Sequence, residues 1–361
     1  MRGTPERQMA MLTTLNPGDL IPADHPIRRI RKVVDAVLDE LDGELSAMYA
    51  TTGRPSVPPE QLLKATVLMA MYSIRSERAF CERLNYDLLF KWFLDLPIDA
   101  KAFDATTFSK NGQRLLDHEI ADRFFAVVVA QAKLRRYVSS DHFSVDGTLL
   151  EAWASHKSFQ PKDGPPSPLP PGRNAEVSFR GQRRSNQTHA STTDPEARMA
   201  RKSNATAAKL SYAGHLLMEH RNALLVDIEL SEATGYAERD TALEMLARLP
   251  ATKRRRTVAG DKAYDTAGFV AEVREMGITP HLAPNTTRQR STIDGRTTRH
   301  PGHAASQRIR KRIEEPFGWI KTIAGGRKLR YIGRARNRAW FLMTAAVYNI
   351  IRITALDTAP A

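Results

Sequence analysis

Between His142 and Leu282 the hydropathy period changes repeatedly, and that order of changes limits the fold more than any other feature. His142 to Leu150 (HFSVDGTLL) sets Phe143 and Val145 against Ser144 and Asp146, the period-two signature of a strand. SYAGHLLMEH and ALLVDIEL flank Arg221-Asn222 and read as a hairpin with a tight turn. GYAERDTALEMLARL has the apolar spacing of an amphipathic helix, and TVAG (257–260) is a short strand that stops at Asp261. Thr266 to Met276 reads as a second helix and ITPHLAP as another strand. Strand, hairpin, helix, strand, helix, strand, then helix is the order of a layered α/β domain with a mixed sheet. No internal repeat is visible.

The preceding third reads as helical. Pro58 and Pro59 lead into EQLLKATVLMAMYSI, with Leu63, Val67, Ala70 and Ile74 at helical spacing; Ser76 is placed to cap ERAFCERLNY. A long helix is expected from about Asp117 to Arg135. Two short helices joined by a turn fit a DNA-reading helix-turn-helix or an ordinary helical bundle, and no base-contacting pattern separates the two. The expected division is a helical region over 1–136 and an α/β region over 137–361. Within the latter, 158–205, rich in Pro, Ser, Gly, Asn and Thr and containing GPPSPLPPG, reads as a mobile, loop-rich excursion. Residues 286–308 read as a basic loop, with closing helices starting near His303 and at Arg338.

Charge is distributed unevenly. Residues 1–140 carry 19 basic and 18 acidic side chains and 141–250 carry 13 and 14, whereas 251–361 carry 22 and 8. The whole net charge of +14 therefore lies in the last third, and Arg outnumbers Lys 39 to 15 over the chain. Arg is the better planar partner for phosphate, and a one-sided basic region is the electrostatic footprint of a nucleic-acid backbone. A solvated basic surface is the alternative reading. The single cysteine, Cys81, excludes a disulfide framework and thiolate zinc modules. The longest apolar run, Phe124 to Ala130, is seven residues, and MRGTPERQMAMLTTLN lacks a signal core. A cytoplasmic, nucleoid-associated protein with no membrane partner is expected.

Three carboxylates stand where chemistry could use them. Asp146 is on the polar side of the first strand, Asp261 at the carboxyl end of the fourth, and Glu314 on the helix RIRKRIEEPFGWIK. Arg310, Glu314 and Lys321 fall within about 40° of one another on an unkinked helix. A carboxylate between two cations suits a metal beside a phosphodiester, although Arg310 and Glu314 also make an ordinary i,i+4 pair. Pro316 should kink the helix after the glutamate, and it leaves Glu315 as an alternative ligand.

In this order the three acids, with SVDGTLLEAWAS, RRSNQTHASTTDPEARM, ATGYAERDTALEML, VAGDKAYD and IDGRTTRHPGHAASQRIRKRIEEPFGWIKT, resemble the bacterial insertion-sequence DDE transposases, nearest the IS5 group and its IS1182-like members. The resemblance runs from about His25 to Ile353. It implies an RNase H-like core, with Asp146, Asp261 and Glu314 holding a two-metal site for Mg2+ or Mn2+. It implies cleavage and strand transfer on double-stranded DNA, at terminal inverted repeats and at the target. It also implies an N-terminal helical region used on DNA, and a homodimer or higher oligomer in the synaptic complex. Of the family's Tyr-x2-Arg-x3-Glu-x6-Lys signature, Arg310, Glu314 and Lys321 match, and Gln307 stands in the tyrosine place. Arg310 and Lys321 are then expected to position the phosphate or neutralise developing charge.

Backbone phosphates would be gripped by Lys253, Arg254, Arg255 and Arg256, by Lys262, and by Arg327, Lys328, Arg330, Arg334, Arg336 and Arg338. His142 could approach the metal or make a structural hydrogen bond. Asp265, Glu238 and Asp240 read as helix caps, and Trp319 as core or as a base-stacking platform. Two further readings stand beside the transposase. One is a catalytically silent, transposase-derived DNA-binding regulator. The other is a tyrosine recombinase using Tyr348 with Arg299 and His300.

Overall fold

The computed structural model describes residues 16–162, 184–203, 205–286 and 291–358. The chain forms two units. One comprises the residues up to Ser139 together with 316–325 and the segment from Ala339 onward; the other comprises Ser140–Glu315 and Gly326–Arg338.

The helical unit contains α1 (Pro17–Leu20), α2 (Pro26–Ala47), α3 (Pro59–Met71), α4 (Glu77–Leu84), α5 (Leu88–Phe93), α6 (Thr106–Asp117) and α7 (Ile120–Leu134). Proline opens α2 and α3, where its missing N–H has no helical partner to lose. Ser76 caps α4 by accepting from the Ala79 amide. The helix expected from about Asp117 to Arg135 is α7, and it starts at Ile120 because Glu119, at φ 51°, separates it from α6. α3 is buried on almost every side, including Lys64, which pairs with Asp35 at 2.6 Å and Asp95 at 2.5 Å.

The second unit contains β1 (His142–Glu151), β2 (Phe159–Pro161), β3 (His189–Ser191), β4 (Arg198–Ala200), β5 (Lys209–Glu219), β6 (Leu225–Glu232), α8 (Ala237–Ala247), β7 (Arg256–Gly260), α9 (Ala267–Glu275), β8 (Ile278–Leu282), α10 (Gly295–Arg299) and α11 (Pro301–Arg310). α12 (Glu314–Thr322) and α13 (Arg334–Leu356) each run across the division between the units. The main sheet runs β6-β5-β1-β7-β8, with β4 joined to the start of β5. β6, β5 and β1 are antiparallel, and β1, β7 and β8 are parallel. Phe143, Val145 and Val258 on one face pack with Met245 and Leu246 of α8 and Phe269, Val270 and Val273 of α9. This is the expected mixed-sheet α/β core, and its architecture is RNase H-like.

Three expectations change. Residues 291–308, part of the expected basic loop over 286–308, are largely helical, because α10 and most of α11 lie there; Asp294 and His300 supply N-caps from their side chains. In the 158–205 excursion, the GPPSPLPPG run lies outside the described residues, but much of the rest is folded. β2 pairs with β3, the Ser158 and Ser191 hydroxyls meet at 2.7 Å, and the Tyr212 hydroxyl donates to buried Asp194 at 2.6 Å. The small polar residues that suggested a loop here close turns onto one another. Finally, 137–361 is not one unit: most of α13 is buried on all sides, and it belongs with the helical unit. By length and composition α13 could cross a membrane, and 72% of its apolar window is buried inside the protein.

Candidate active site

The parallel register of β1 and β7 brings the two aspartates together. His142 pairs with Thr257, Phe143 with Val258 and Ser144 with Ala259. The same offset carried two residues further puts Asp146 beside Asp261, at the carboxyl end of β7. The proximity is felt electrostatically. Asp146 has its pKa raised to about 7, first by burial and then by the charges of Asp261 and Glu238, while the Gly147 amide and Arg310 act in the opposite sense. The Asp146 carboxylate accepts from the Gly147 amide at 2.8 Å, and Asp261 accepts from the Ala263 amide at 2.7 Å, which starts a short 3-10 turn over Lys262–Tyr264.

Helix α11 is locked to the same end of the sheet. The Gln307 side-chain amide donates to the Gly260 carbonyl at 3.3 Å and to the His281 carbonyl, and the Arg310 guanidinium reaches Gln307 at 3.4 Å. The residue in the tyrosine place of the signature thus ties the helix to the strand that ends at Asp261. The helix then departs from the expected geometry. Lys311–Ile313 form a 3-10 turn and α12 restarts at Glu314. Pro316 is the physical reason: its ring excludes an α-helical carbonyl four residues back, at Arg312, so the break precedes the glutamate and Pro316 sits in the first turn of α12. Arg310, Glu314 and Lys321 therefore do not share one unbroken helical face. Glu314 and Glu315 are exposed, and Lys321 lies in the part of α12 that belongs to the helical unit.

The carboxylate beside both aspartates is Glu238, in the first turn of α8. Its place at a helix start suggests a cap, but the N-cap position of α8 is Tyr236, with no side-chain cap, and the Ala237 amide donates to the Thr234 hydroxyl at 3.1 Å. Asp265 is likewise no cap. It is buried and accepts from the Asn285 amide at 2.7 Å and the Thr292 amide at 3.0 Å, pinning the segment that follows β8. His142 makes the structural hydrogen bond, at 2.9 Å to Thr257. It stands four residues from Asp146, about 13 Å along the strand. Trp319 packs edge-on to Tyr348, ring centroids 6.1 Å apart, and Tyr348 is buried.

The basic residues separate into groups. Arg327–Arg330 lies along the end of β1: the Glu151 amide donates to the Arg327 carbonyl at 3.3 Å and the Leu329 amide to the Glu151 carbonyl at 2.7 Å. Lys328 stands 5.6 Å over the exposed ring of Trp153. Lys262, beside Asp261, is exposed, as are Arg334 and Arg336. Arg338 is paired with Glu229 at 2.6 Å. Arg256 is buried, and its guanidinium bonds the carbonyls of Ser140, at 3.1 Å, and Pro250, so it is a structural residue and not a phosphate contact. Lys253, Arg254 and Arg255 are exposed, but they precede β7 and so lie a strand length, about 16 Å, from Asp261.

Among the described residues no group of three or more His, Cys, Asp or Glu side chains forms a ready metal cage. The donor chemistry nevertheless suits a hard divalent cation, since two carboxylates pressed together with one pKa near 7 are relieved by a positive charge between them.

A mixed RNase H-like sheet with paired aspartates on its central parallel strands defines a class of nucleic-acid-processing proteins. The description Transposase domain (DUF772) matches residues 15–114, and Transposase DDE domain matches residues 173–350. The chain belongs to the insertion-sequence DDE transposases. No curated protein matches it. Among solved structures, a piggyBac transposase synaptic complex with hairpin DNA has a TM-score of 0.42 at 10% identity, covering 92% of this chain and 75% of that one. The Mos1 strand transfer complex has a TM-score of 0.20 at 10% identity, covering 78% and 82%. Similarity at that level transfers nothing to this chain.

Proposed function

We propose that this transposase cuts double-stranded DNA at the terminal inverted repeats of an IS5-group insertion sequence and joins the freed end to target DNA. The reading is carried by the register that sets Asp146 beside Asp261 within a DDE transposase. Asp146 and Asp261 would hold Mg2+ or Mn2+, with Glu314 or Glu315 completing a two-metal site. When bound, the metal supplies Lewis-acid activation of a water or 3′-hydroxyl and stabilisation of the leaving oxygen.

The remaining work falls to the chain. Arg310, whose charge already acts on Asp146, orients the scissile phosphate and offsets charge that develops on it. Gln307 keeps α11 against the strand that ends at Asp261. Lys262, Arg327, Lys328, Arg330, Arg334 and Arg336 hold flanking phosphates. Two or more copies would bridge the paired ends.

The test is a labelled inverted-repeat end incubated with Mg2+ or with EDTA, beside Asp146→Asn. Nicking that needs metal and is lost in the variant is expected. A covalent protein–DNA adduct that persists in EDTA would sink the proposal, and tight binding with no nicking under any metal would favour a silent regulator.

A further inference from the structure

Glu238 is half-buried in the first turn of α8, whereas Asp240 in the same turn is exposed. An acid at a helix start gains from the dipole without being buried, so its inward position needs another cause. Its side chain lies directly over Gly147: a Cβ on that glycine would stand 3.0 Å from Glu238 Cγ and 3.1 Å from Cδ and Oε1. The Gly147 amide and the hydroxyl of fully buried Tyr264 both favour the charged form of this carboxylate, while burial and the charge of Asp261 act against it. Gly147 follows Asp146. Tyr264 closes the turn begun at Asp261, its amide donating to the Asp261 carbonyl at 3.3 Å. One carboxylate therefore touches both aspartate-bearing segments. The next residue adds to the tether, because Arg239 donates to the Ala263 carbonyl at 3.2 Å.

We propose that Glu238 is a positioning residue for the cation site, bracing the Asp146 and Asp261 segments through Gly147 and Tyr264 while adding a third negative charge behind the pair. The inference rests on the reading of Asp146 and Asp261 as metal ligands. Partners that fix ligands from behind commonly change metal affinity about 10–100-fold when altered. Glu238→Gln keeps the side chain's size and removes its charge.

The experiment is Mn2+ titration of the full chain by calorimetry without DNA, for wild type, Glu238→Gln, Tyr264→Phe and Asp146→Asn. Glu238→Gln should bind Mn2+ about 10–100-fold more weakly. In nicking assays its defect should shrink as Mn2+ is raised, whereas a purely structural lesion would lower the rate at every concentration. Tyr264→Phe, which keeps the charge and deletes one donor, should weaken binding severalfold, and it carries the test if Glu238→Gln does not fold. Wild-type affinity in Glu238→Gln or, failing that variant, in Tyr264→Phe, with binding lost in Asp146→Asn, overturns the brace alone. Wild-type affinity in Asp146→Asn overturns the cation site and the brace with it.

Discussion

Asp146 is held where its own ionisation is unfavourable. Burial and the charges of Asp261 and Glu238 raise its pKa to about 7, so its contribution to folding is fully present below the unfolded value near 4 and is lost as pH rises through 7. In EDTA, Asp146→Asn should therefore be more stable than wild type at pH 8, by up to about 4 kcal/mol. Thermal denaturation at pH 8 checks this, and an unchanged or lower Tm would contradict it. The same substitution should lower metal-dependent nicking on the order of 10³-fold. The aspartates could be picked out from the strand pattern. Glu238 reads as a cap from sequence because helix-start acids so often are; only the packing of α8 over Gly147 distinguishes the two roles.

Strands and helices carry the next set of consequences. Gly260 ends β7 where a Cβ would meet Leu282 at 2.9 Å and the Tyr264 ring at 3.0 Å. Gly260→Ala should destabilise the sheet unit by about 1–3 kcal/mol, read as a lower denaturant midpoint. Three buried histidines tie strands to their neighbours: His215 bonds Ser231, His220 bonds Ser144 and His281 bonds Ser306. Burial holds all three pKa values down to about 4. Their contribution is present above pH 6.5 and is lost as pH falls toward 4, opposite in sign to that of Asp146. Three histidines outweigh one aspartate, so apo stability should fall across that window. His220→Gln should flatten the fall, and Tm measured from pH 4 to 7 tests it. The strand order was legible from alternation. The helix break before Glu314 was misplaced, because sequence spacing assumes an uninterrupted helix and Pro316 acts on the turn behind it.

At the scale of the whole molecule, the +14 charge is not a single DNA-facing surface. Arg256 is buried and Arg338 is neutralised by Glu229, while Lys253, Arg254 and Arg255 lie a strand length from Asp261. The segment 327–330 runs along β1, the strand that carries Asp146. Changing Arg327, Lys328 and Arg330 together to Ala should reduce the slope of log affinity against log salt by roughly 3, at about 0.9 per phosphate contact on duplex DNA. Changing Lys253, Arg254 and Arg255 should reduce it less. Binding isotherms between 50 and 200 mM salt, on the order used for such slopes, decide this; equal reductions would mean that both groups touch DNA.

The sequence by itself determined the order of strands and helices, the two aspartates at strand positions and the one-sided charge, because each depends on local periodicity or composition. Tertiary structure decided which side chains meet. It set Asp146 beside Asp261 through a parallel register between strands more than a hundred residues apart. It turned Glu238 from a helix acid into the neighbour of both aspartates. It also assigned most of the last helix to the helical unit. Proximity across a sheet is fixed by hydrogen-bond register and packing, and neither is written in the spacing of residues along one chain segment.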